Sequence, residues 1–153
     1  MQERDRVRLA FSVDSSQIEH GLSELVMIAL DLFREIYRTQ SWPGNGDGHA
    51  DHLFQRGTEL VRQWEHLNPP RPLRPLWREL DGQIIVLVSL LREVGTMRAF
   101  AGTRGLPERV HALQQRFNTH LGLMNSLEGR LLDAEDRLRA VARGTDDRVN
   151  RDA

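Results

Sequence analysis

Apolar residues return every seven positions over the last third of the chain. Val110, Phe117, Met124, Leu131 and Leu138 form one series, and Leu113, His120, Leu127, Ala134 and Val141 form its companion. Nine of these ten are apolar, so they line one stripe of a long helix in the manner of a coiled-coil seam. Pro107 suits the first turn of such a helix, where an amide has no partner to lose. The spacing predicts a helix over about 107–143, with a polar tail at 145–153.

Three shorter helical patterns precede it. Ile18, Leu22, Leu25, Ala29, Leu32 and Ile36 alternate four- and three-residue steps, while Val26, Met27, Ile28, Leu30 and Phe33 widen the stripe. A helix apolar over most of its circumference belongs inside a bundle, and this one is predicted over about 16–41. Ser16 and Glu19 fit a capping box at its start, and Trp42-Pro-Gly-Asn-Gly-Asp-Gly48 closes it. Leu53, Gly57, Leu60, Val61 and Trp64 predict a second helix over about 48–67, stopped by the proline-rich stretch 68–75. Leu80, Ile84, Leu87, Leu91, Val94 and Ala101 predict a third over about 75–101. Ahead of all four, Val7, Leu9, Phe11 and Val13 alternate with polar residues, a period of two that reads as an extended arm or strand over 1–15. The expected fold is all-α: a four-helix bundle with an extended N-terminal arm and a long C-terminal coiled-coil-like helix, folded as one domain over 16–144.

Charge sorts itself along the heptad helix. Arg109, Arg116, Arg130 and Arg137 flank one side of the stripe, and Gln114, Glu128 and Glu135 flank the other. In a parallel pair of such helices Arg130 approaches Glu135 of the second copy, whereas an antiparallel pair sets arginine against arginine. Leu121 and Leu123 broaden the stripe upstream, so Val110–Met124 is expected to dock on the bundle. Leu127, Leu131, Ala134, Leu138 and Val141 are then left to self-associate as a homodimer, aligned by Arg130 and Glu135. His120 is the one polar break in the seam, expected as a satisfied buried or register-setting residue; if two copies met there, it would form a pH-sensitive polar layer.

Composition narrows the function. All 21 basic side chains are arginine, and there is no lysine. Codon bias in a GC-rich genome explains that, as does escape from lysine-directed tagging in a viral or effector protein. A net charge of −1 argues against a nucleic-acid binder, which would carry a basic stripe. The absence of cysteine excludes disulfides, thiolate zinc sites and thiol nucleophiles. No apolar run approaches the ~20 residues a membrane helix needs, and the charged start is unlike a secretory signal. A cytoplasmic or otherwise intracellular protein without membrane insertion is the expectation.

Two clusters carry candidate chemistry. His49, Asp51 and His52 have metal-ligand character at a helix start, although neither His-Glu-x-x-His nor paired cysteines occur. Pro69-Pro-Arg-Pro72-Leu-Arg74 fits the PxxPxR pattern, in which Pro69 and Pro72 would fill aromatic grooves and Arg74 an acidic pocket of a partner protein. No nucleophile elbow or phosphate-binding glycine loop is present, so neither an enzyme nor a cofactor is expected. The function expected is a non-enzymatic interaction or adaptor protein. A ligand- or metal-sensing bundle is one alternative, and a viral or effector protein binding host partners through the proline loop is another.

Overall fold

A computed structural model of the chain describes residues 3–151, with side chains from 14 to 144. Among the described residues four helices run Glu3–Thr39 (α1), Gly46–Glu65 (α2), Arg74–Glu93 (α3) and Gly105–Arg151 (α4), and there is no strand. Single 3-10 segments, Arg71–Leu73 and Val94–Phe100, flank α3. The fold is therefore an all-α helical bundle.

Pairs of contacts fix its direction. Gly21 of α1 lies against Leu60 of α2. Trp64 bonds Asp81 while Thr58 meets Arg92, so α2 and α3 are antiparallel. Arg116 reaches Glu93 and Arg130 reaches Glu79, so α3 and α4 are antiparallel as well. Phe33 packs on Phe117 with ring centroids 6.0 Å apart, and Glu19, about four turns earlier in α1, faces Glu128 and Glu135. Thus α1 and α4 also run in opposite senses, and the chain goes up, down, up, down around one core.

That core draws on every helix: Leu22, Val26, Phe33 and Ile36 from α1, Leu53, Leu60 and Trp64 from α2, Leu80, Ile84, Leu87 and Leu91 from α3, and Val110, Leu113, Phe117 and Met124 from α4. Gly57 sits where α2 packs on α3, and a Cβ there would make ordinary contact with Leu91 at 3.4 Å. At the α1–α2 turn the Trp42 ring lies over Gly46, where a Cβ would come within 2.6 Å of it.

The extended arm expected over 1–15 is helical from Glu3 onward. No glycine or proline interrupts residues 1–20, and Val7–Phe11 and Leu9–Val13 are also helical four-residue steps, so the alternation was compatible with either period. The side chains of Val7, Leu9, Phe11 and Val13 lie outside the described residues. Ser16 consequently stands in mid-helix and caps nothing. The expected polar tail is also helical, because α4 continues to Arg151. In the other direction, the third helix is shorter than expected. After Glu93 it tightens into a 3-10 segment, where Gly95 weakens the α-ladder and Thr96 Oγ1 donates to the Glu93 carbonyl at 2.6 Å.

The Trp64 indole is fully buried, stacks on Trp77 at 5.5 Å and donates to Asp81 Oδ1 at 2.8 Å. Asp81→Ala strands that donor in the core and should lower unfolding stability by ~1–3 kcal/mol, read as a shifted urea midpoint at an unchanged m-value.

Candidate functional site

The heptad seam of α4 lands mostly inside the chain's own bundle. Leu131 is 2% exposed and Leu127 8%, and both belong to the core. Ala134 and Leu138 are half-buried against it, and only Val141, at 68%, stands well out in water. The arginine flank is engaged at home too. Arg109 lies over the Phe100 ring at 3.7 Å, Arg116 pairs with Glu93 at 3.0 Å and Arg130 with Glu79 at 3.3 Å. Glu135 is buried. Arg130 and Glu135 therefore have roles within one chain, on opposite sides of α4. His120 is half-buried, with Nδ1 2.7 Å from Gln83 Oε1, a polar layer between α4 and α3.

The proline loop does not hold the shape its motif requires. Pro70 has left-handed extended dihedrals (φ −55°, ψ 143°), but Arg71–Leu73 turns into 3-10 geometry and Arg74 is already helical. Leu73 is buried. Pro69 is half-buried, and Pro72 and Arg74 are exposed, so the three motif residues do not lie along one extended ridge. What the stretch does is turn the chain into α3 and anchor it through Leu73.

His49 is half-buried and Asp51 and His52 are exposed on α2. Among the described residues no three histidine, cysteine, aspartate or glutamate side chains converge to hold a metal ion. Asp47, just before them, accepts from Trp42 Nε1 at 3.1 Å and pairs with Arg98 at 2.8 Å. The turn residues thus tie the α1–α2 connection to the segment after α3.

A different constellation emerges where α1 crosses α4. Glu19 is 2% exposed, and its Oε1 has no hydrogen-bond partner among the described residues. The Glu128 carboxyl is placed to share a hydrogen bond with the Glu19 carboxyl, Glu135 stands near, and Ser15 is buried one turn away. Burial is the main force raising the Glu19 pKa from an ordinary 4.5 to about 9. The hydrogen bond with Glu128 and the charges of Glu128 and Glu135 add to it. The sequence carried a signal for this site. Ser15, Glu19, Leu22, Val26, Ala29, Phe33 and Ile36 follow one three-and-four stripe, and all seven are buried. Two polar residues on an apolar stripe mark a buried polar layer.

No protein-family model, curated protein or solved structure matches the chain, so its function is read from its own residues.

Two outcomes follow from this placement. Leu131→Ala should cost ~2–5 kcal/mol of stability as a core truncation, seen by chemical denaturation. The folded chain holds on Glu19 a proton that the unfolded chain releases above its ordinary pKa of 4.5. The stability this contributes is complete below 4.5 and is lost as pH rises toward about 9, at a slope of up to about 1.4 kcal/mol per pH unit. Stability should therefore fall between pH 5 and pH 8.5, and Glu19→Gln should remove most of that fall in parallel urea titrations.

Proposed function

We propose that the chain is a non-enzymatic helical interaction protein that associates with a second copy of itself through the outer end of α4. What supports this is a mismatch of lengths. α4 has 47 residues, about 70 Å, while α2 and α3 have 20 each, about 30 Å. The heptad outlasts α2 and α3, which satisfy its earlier turns, and α1, 37 residues long, is the helix that continues beside it. Leu138 is only half covered and Val141 largely exposed, and an apolar heptad position in water is stabilised by a helix of the same spacing. A second copy carries that spacing.

The surface is narrower than the whole stretch Leu127–Val141. Leu127 and Leu131 are taken up by the core, and Arg130 and Glu135 no longer serve to align two copies. Leu138 and Val141 are the residues that remain. A net charge near zero keeps long-range repulsion between copies small, and a cysteine-free chain suits a reducing interior.

Size-exclusion chromatography with light scattering provides the test. Wild type should move from monomer toward dimer mass as concentration rises through the micromolar range. Val141→Asp, at the exposed position, should shift it toward monomer mass with its thermal melt preserved. A wild type that stays monomeric at high micromolar concentration would sink the proposal.

A further inference from the structure

At the crossing of α1 and α4 a carboxyl is sealed from water with other carboxyls rather than a cation facing it. α4 presents Glu128 and Glu135 to Glu19, with Arg139 beside Glu135 on the side of Leu73. Glu135 also has an interaction of its own. On α1 the neighbouring His20 turns outward to Glu24 at 3.2 Å. From α2, Arg56 and His66 line the adjacent groove with Asp14, Gln17 and Ile18, and Arg56 pairs with Glu59 at 2.6 Å. Ahead of α3 the chain offers Leu73. Among the described residues no cation is paired with Glu19. A proton is what makes the layer tolerable, since an isolated charge there would have neither water nor a counter-ion.

The layer also sits close to the end of the cover that α2 gives α1. The α1–α2 groove runs from Ile18 and Leu60 to Asp14, His66 and Leu67, so α2 ends near the level of residue 14. Along the preceding turns of α1, the antiparallel register leaves α4 as the neighbouring helix. A polar cleft of about 330 Å³, lined by Ser16, Gln17, His20, Ser23 and Glu128, opens beside the layer and gives water a route to Glu128.

We propose that Glu19, Glu128 and Glu135 form a proton-operated clasp, which holds the first half of α1 on α4 when Glu19 is protonated and releases it when Glu19 ionises. The inference stands apart from self-association and uses neither Leu138 nor Val141. Local opening of one helix needs less free energy than global unfolding, so ionisation is relieved by this segment moving while the Phe33–Phe117 end stays packed. The raised pKa of Glu19 places the transition on the alkaline side of neutrality. Because the closed clasp binds a proton that the open one releases, the open fraction grows with pH, by at most tenfold per unit.

Amide hydrogen exchange of the full chain at pH 6, 7.5 and 9, corrected for intrinsic rates, tests this. Residues 14–25 should lose protection with rising pH by up to about tenfold per unit, and at each pH should exchange faster than residues 80–91 of α3, whose protection follows global unfolding. Glu19→Gln, which keeps the shape without the charge, should flatten the profile, and Glu19→Leu should do the same with an apolar side chain. Three results would overturn the clasp: pH-independent protection of residues 14–25 in the wild type, an unchanged slope in both variants, or protection of residues 14–25 as high as that of α3 at every pH.

Discussion

The long helix α4 must satisfy two neighbours with one stripe, and the arrangement of the bundle follows from how it does so. Its apolar seam faces the centre, and its two flanks diverge. The arginine flank meets acidic residues of α3 through Arg116–Glu93 and Arg130–Glu79. The opposite flank, with Glu128 and Glu135, faces α1. Exposed ion pairs contribute only about 0–1 kcal/mol each, so burial of Phe117, Met124 and Leu131 supplies most of the stabilisation. The charges choose which neighbour lies on which side.

That division of labour leaves one side of α4 with a problem the other lacks. Toward α3 the flanking charges pair across the groove in contact with solvent. Toward α1 a glutamate on the apolar stripe is drawn into the interior, and like charges wait for it there. Keeping Glu19 protonated removes the conflict and makes packing at that level depend on pH. The aromatic contact at Phe33 and Phe117 has no such dependence, so the two ends of the α1–α4 interface respond differently to the same change in solution.

The connecting segments show how readily polar and proline residues are absorbed by structural work. Asp47 serves the Trp42 indole and Arg98 together, and Gly46 is small because the Trp42 ring covers it. Pro69–Arg74 bends into a 3-10 turn because Leu73 is drawn into the core. A motif defined by residue order specifies a binding shape only if the backbone is free to adopt it, and here packing of Leu73 takes that freedom away.

The chain's own pattern of apolar residues determined the helical class, the three breaks between helices and most core positions, because a 3.6-residue period and its glycine and proline interruptions are local properties of the polymer. Glu19 was legible in part, as a polar residue on a buried stripe, but its partners lie more than a hundred positions away. Residues 3–13 were ambiguous for a related reason: their apolar residues satisfy a period of two and four-residue steps at once. Only the tertiary structure decided what covers the heptad. A seam such as Leu127 and Leu131 can be buried against a second copy or against α1 and α3. The bundle fills it from within because those helices are tethered to it at high effective concentration, and a second copy is not.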